Sequence, residues 1–161
     1  MGERSLEVFK KYTAGVSSMT RPIIKGTIDP NKEYLLVHTN ICVKFYQNIF
    51  FWWDSSKAIT ELKNYMPDKC VGMTVSVKPL KANWETVTVW TDIKDMKKFY
   101  TTGVHLDIMK RWSGHFKRNE TSETLRYKIK GDLLTNVNSY EETKAFFNLV
   151  KTGNLQLWEN K

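Results

Sequence analysis

The sequence predicts an α+β domain of the ferredoxin-like βαββαβ type with an extra C-terminal helix. Three observations lead there. Runs with strand character occupy residues 34–45, 71–79, 86–90 and 125–129. Apolar faces at helical spacing fall between the first and second runs and between the third and fourth. The two middle strands are separated only by the short turn 80–83, as a hairpin requires. This order of elements is the split βαβ pattern, which makes one sheet with helices on one face.

Residues 3–14 carry Leu6, Val8, Phe9 and Tyr12 as a short amphipathic helix, and Pro22, Gly26 and Pro30 break the chain up to the first strand. Residues 1–30 are therefore read as an arm and 31–161 as the domain. In the first strand Leu35, Val37, Thr39, Ile41 and Val43 share one face. Leu36, His38, Asn40 and Cys42 share the other. Phe50, Phe51, Trp52 and Trp53 form a bulky cluster before the next helix, the usual mark of core or interface. Asp54, Ser55 and Ser56 are N-cap candidates for that helix, which presents Ala58, Ile59, Leu62, Tyr65 and Met66 and stops at Pro67. Val71, Met73, Val75 and Val77 alternate with Gly72, Thr74 and Ser76 in the second strand. Leu125, Tyr127 and Ile129 alternate with Arg126 and Lys128 in the fourth, which Gly131 ends. Ser139 with Glu142 matches a capping box. That helix carries Ala145, Phe146, Leu149 and Val150 and ends at Gly153, with Leu155, Leu157 and Trp158 as a short last strand.

The chain is organised around residues 84–112. Thr86, Val87, Thr88, Val89 and Trp90 are β-branched or aromatic. Thr91 or Asp92 then caps a helix whose Ile93, Met96, Phe99 and Tyr100 share one face. Gly103 interrupts it, and a second helical piece comes next. At about 100° per residue, His105 sits among Ile108, Met109 and Trp112. A histidine at the centre of an apolar face has two readings, a general base or a core residue with its hydrogen bonds satisfied.

If the helices cover one sheet face, the other displays Leu36, His38, Asn40 and Cys42. Arg126 and Lys128, alternating with apolar neighbours, are expected there as well, biasing a ligand site toward anions. The parity of the third strand stays open. With Val87 and Val89 toward the helices, Trp84 and Trp90 join the polar face and make it resemble a ligand cavity. An apolar face of this kind needs a cover, so a homodimer is expected.

Composition bounds the rest. A hydrophobic share of 41% supports a core and argues against disorder. The net charge of +8 suits an anionic ligand or surface, and equally a solvated lysine-rich exterior. Cys42 and Cys70 do not make a metal site or a disulfide framework. No export signal and no membrane-spanning run is read, so a soluble, cytoplasmic protein is expected. The nucleic-acid reading lacks the glycine and aromatic signature by which such sheets stack bases.

The run Thr86-Val87-Thr88-Val89-Trp90, then Asp95-Met96-Lys97-Lys98-Phe99, then Gly103-Val104-His105 and Met109-Lys110-Arg111 resembles the antibiotic-biosynthesis-monooxygenase type of dimeric α/β barrel. It is also similar to the spheroidene monooxygenase branch. The resemblance implies two ferredoxin-like protomers joined sheet to sheet, each with a cavity between sheet and helices. It implies either no cofactor or haem, with His105 as general base or haem ligand and no other metal site. By place in the pattern Asn40, Trp90 and His105 match the Asn, Trp and His of haem degraders. His38, Trp84, Trp112, Arg126 and Lys128 complete the candidate ligand-binding set. The function so implied is a monooxygenase-like or haem-interacting enzyme acting on a small apolar or aromatic, or anionic, ligand. A non-catalytic ligand-binding or stress-response dimer of the same fold is the alternative.

Overall fold

A computed structural model describes residues 19–20, 24–116, 123–152 and 155–158. The reading of residues 3–14 as a helix lies outside them. Six strands form one antiparallel sheet: β1 (Met19–Thr20), β2 (Ile24–Lys25), β3 (Glu33–Cys42), β4 (Cys70–Lys78), β5 (Asn83–Trp90) and β6 (Glu123–Lys130). The order is β1-β4-β5-β3-β6, with β2 also on β4. The four long strands thus have the ferredoxin-like arrangement, and two pieces of the expected arm edge the sheet at β4.

Helix α1 (Asn48–Leu62) links β3 to β4. Helices α2 (Ile93–Thr101) and α3 (Gly103–Trp112) come after β5. These three cover one face, packing Phe51, Leu62, Met96, Phe99, Ile108 and Trp112 on Leu35, Val37, Met73, Val75, Trp84 and Trp90. The start of α2 is capped as expected, Lys94 N donating to Asp92 Oδ1 at 2.6 Å. Helix α1 begins earlier than expected. Phe50–Trp53 lie inside it, and Asp54, Ser55 and Ser56 are mid-helix rather than caps. The Asp54 carboxylate serves a tertiary purpose instead, accepting from Arg111 and Trp112 of α3.

The second sheet face is not open. Helix α4 (Gly131–Thr135) and helix α5 (Tyr140–Lys151) cover it. Leu134, Val137, Phe146, Phe147 and Val150 pack on Leu36, Val87, Val89, Tyr127 and Ile129. The Ser139–Glu142 capping box starts α5. Gly131 opens α4 rather than simply ending β6, lying against the Asp29 backbone where a Cβ has no room.

This second layer settles one open question and corrects two expectations. Val87 and Val89 face α5, so Trp84 and Trp90 point at α1–α3, opposite Ile41 and Leu35 in the register. Arg126 and Lys128, opposite Val37 and Leu35, also lie on the α1–α3 side. Their apolar alternates Tyr127 and Ile129 face another helix layer, not the one assumed. Finally, the sheet face that two copies were expected to share is filled by the chain's own α5. The last expected strand is reduced to a bridge between Leu157 and Tyr127 along the β6 edge.

Candidate active site

The site starts at the break between α2 and α3. Gly103 has φ 65°, the left-handed region that glycine enters without penalty. The turn leaves the first N–H groups of α3 unpaired, and Thr102 supplies no side-chain cap. Glu61, from the last turn of α1, fills that role. Its carboxylate accepts from Val104 N at 3.3 Å and His105 N at 3.1 Å. His105 is thereby fixed by its backbone to α1 while its ring turns toward the sheet.

The ring packs on Phe99 and Tyr100, with centroids 4.9 and 4.6 Å away. It borders a cavity of about 140 Å³ between sheet and helices. Thr39, Ile41, Val75, Trp84, Thr86 and Thr88 form the floor. Phe51, Ala58, Ile59, Ile108 and Met109 form the walls. The lining is overwhelmingly apolar, with threonine hydroxyls as the polar accents, which is the usual make-up of a small-molecule site.

Burial pushes the His105 pKa below its ordinary value of 6.5. The Tyr100 backbone and the Glu61 carboxylate pull the other way without cancelling it. The imidazole is therefore neutral near pH 7 and available as a base. Its Nδ1 is buried, with no surface open to the cavity. Tyr100 stands beside it, its hydroxyl 3.4 Å from Thr88 Oγ1. Burial raises the Tyr100 pKa despite the Thr88 and Thr39 hydroxyls and the positive charge of Arg126, so it stays a protonated donor. Arg126 Nε is itself buried without a partner.

Of the residues singled out from sequence, the structure gathers His105 and Trp84 at the cavity. Trp90 stands behind its wall, tilted against Phe99 and Tyr100, with Nε1 donating to Thr88 Oγ1 at 2.8 Å. Arg126 acts on Tyr100 through its charge. The others lie elsewhere. His38 is on the α5 side, edge-on to Phe147. Asn40 is hydrogen-bonded to Asn83. Trp112 binds Asp54 at the far end of the helix layer, and Lys128 lies over Trp158. Tyr100 and Glu61 were not singled out as site residues. Tyr100 read as one more apolar position of α2, and nothing local marks Glu61, whose role depends on the α1–α3 packing.

Among the described residues, no group of three or more His, Cys, Asp or Glu side chains could hold a metal ion. Haem fits poorly. An apolar cavity of about 150 Å³ takes one benzene-sized ring; the inner part of this one, about 140 Å³, is no larger, and its mouth opens to solvent.

The sheet and its strand order define a ferredoxin-like α+β domain. A candidate monooxygenase from Fusobacterium nucleatum aligns with a TM-score of 0.54 at 12% identity, over 69% of this chain and 48% of that one. This chain thus spans about half the length of that protein. A monooxygenase-like protein from Listeria innocua aligns with a TM-score of 0.52 at 8% identity, over 81% and 89%. A heme-degrading enzyme from Listeria monocytogenes gives 0.50 at 7% identity, over 77% and 92%. No protein-family model and no curated protein sequence matches the chain. At these identities the likeness is one of fold, as the motif run in residues 86–111 led us to expect.

Proposed function

We propose that the chain is a cofactor-independent oxygenase of small, electron-rich phenols. The observation that carries this reading is a neutral His105 bordering an apolar cavity whose enclosed part is of one-ring size. The names of the proteins that share the fold support it, since they are described as monooxygenase-type or heme-degrading.

His105 takes the phenolic proton as general base. The resulting phenolate forms in an apolar cavity, where the Tyr100 hydroxyl and the positive charge of Arg126 favour the anion. The phenolate gives electrons to dioxygen. One oxygen atom becomes a new ring carbonyl, replacing a C–H, and the other leaves as water. The phenol becomes a quinone, and every electron that dioxygen takes comes from the ring, so no outside reductant is needed. The homodimer that the sequence suggested plays no part in this reading, because each residue it invokes belongs to one chain.

The test is oxygen uptake with a panel of substituted hydroquinones and two-ring naphthols, with product mass as a second readout. Uptake confined to one-ring substrates is expected, with a loss of about 10²–10⁴-fold in His105→Ala. Saturable binding with no uptake would leave a non-catalytic binder. Tight haemin binding, competitive with phenols, would replace the oxygenase reading by a haem one.

A further inference from the structure

The α1 helix carries an aromatic ridge that the cavity does not use. Tyr46, just before the helix, and Phe50 and Trp53 recur at helical spacing on its outer side. They are 57%, 52% and 72% exposed. Core packing does not account for them: Phe51, on the inner side, fills the core position. A groove of about 370 Å³ runs beside the ridge, lined by Tyr46, Gln47, Phe50, Arg111, Trp112 and His115. Single exposed apolar residues need no explanation, but a contiguous row of large rings does.

Cations outnumber anions around the ridge among the described residues. Lys44 precedes Tyr46, Lys57 extends the stripe one turn past Trp53, and Arg111 lines the groove; all three are exposed. Of the nearby acidic side chains, Asp54 is buried and already bonded to Arg111 and Lys57, and Asp107 is exposed one turn before Arg111 on α3. A second copy of the chain is a poor occupant. An isologous contact sets a patch against its own copy, and here that brings two surfaces together that both carry an excess of cations. Single-stranded nucleic acid stacks on rings spaced along a basic groove, whereas these rings crowd a convex helix. Aromatic side chains projecting from a helix, flanked by basic ones, match the headgroup layer of an anionic bilayer, where rings enter the interface and cations meet lipid phosphates.

We propose that the α1 ridge docks the folded domain on an anionic phospholipid surface. Tyr46, Phe50 and Trp53 enter the headgroup layer, and the excess of Lys44, Lys57 and Arg111 over the paired Asp54 supplies the electrostatic attraction. The contact is peripheral: among the described residues no helix is long and apolar enough to cross a membrane. The inference does not depend on the chemistry proposed for the cavity. It does place α1, one wall of that cavity, at the bilayer, where apolar phenols partition.

The experiment is co-sedimentation of the full chain with vesicles of phosphatidylcholine, alone or mixed with phosphatidylserine, at low and high salt. Binding to the mixed vesicles is expected, weakened by salt as screening requires. Phe50→Ser with Trp53→Ser should lower the partition coefficient by at least about tenfold. Leu133→Ser with Leu157→Ser, which removes exposed apolar side chains on the opposite layer, should leave it unchanged. Circular dichroism confirms that both variants are folded. The proposal is overturned by absence of binding, by equal binding to neutral vesicles, or by binding indifferent to the Phe50 and Trp53 changes. It is overturned as well if those changes instead abolish a dimer seen by light scattering, or the binding of a single-stranded oligonucleotide.

Discussion

Glu85→Gln should expose the largest single electrostatic contribution to the fold. Glu85 is 3% exposed on β5 and faces α5. Lys151 of α5 and Lys78 of β4 bind its carboxylate at 2.6 and 3.1 Å. His38 Nε2 of β3 stands 3.8 Å away, beyond hydrogen-bond range. Burial alone would raise the Glu85 pKa. His38, Lys151 and Lys78 overcome that and bring it from 4.5 down to about 2. A depressed carboxylate pKa contributes stability above its unfolded value and loses it as pH falls through the folded one. The full shift corresponds to about 3 kcal/mol. Lys78 and Lys151 are each 34% exposed, so solvent screening reduces this to about 2–3 kcal/mol. Urea melts should therefore show Glu85→Gln less stable by about that amount at pH 7. At pH 3 the gap to wild type should shrink to about half or less. A gap that stays constant between the two pH values, or no gap at pH 7, would refute the claim that Glu85 holds α5 to the sheet by its charge.

The helix layer offers two more tests. Asp54→Ala should cost about 2–4 kcal/mol in the same melts: it leaves the buried Trp112 N–H unpaired, worth about 1–3 kcal/mol, and the exposed ends of Arg111 and Lys57 add at most about 1 kcal/mol each. Gly103→Ala should cost about 1–3 kcal/mol, because φ 65° strains any side chain and the new Cβ runs into the Glu61 carboxylate. It should also weaken phenol binding in calorimetric titrations, since Glu61 anchors His105 N; unchanged affinity with normal stability would mean that this anchor does not set the site.

The alternating strands and the two helical faces between them were legible in the sequence, because burial on one side leaves a period that local composition displays. The capping residues Asp92, Ser139 and Glu142 were legible for the same reason: their partners lie within a few residues. What failed was anything that depends on how many layers the sheet supports. Arg126 was assigned to the wrong face because Leu125, Tyr127 and Ile129 looked like the side toward α1–α3, and they are apolar instead for α4 and α5. Phe50 to Asp54 looked like a pre-helix cluster with a cap, since neither the exposure of Trp53 nor the pairing of Asp54 with α3 is a local property. His105 stood out because a polar side chain on an apolar face breaks a pattern. Tyr100 and Glu61 break none.

The central claim is that a neutral His105 meets a one-ring phenol in the cavity, and nuclear magnetic resonance of ¹⁵N-labelled histidine tests it directly. The chain has three histidines, and His105→Gln assigns the signal. His38, behind the sheet against Phe147, is an internal control. The account predicts that His105 titrates below 6.5, as burial requires, and that a one-ring hydroquinone shifts its resonances while leaving those of His38 in place. A His105 that titrates at or above 6.5, or a hydroquinone that moves His38 and not His105, would contradict it.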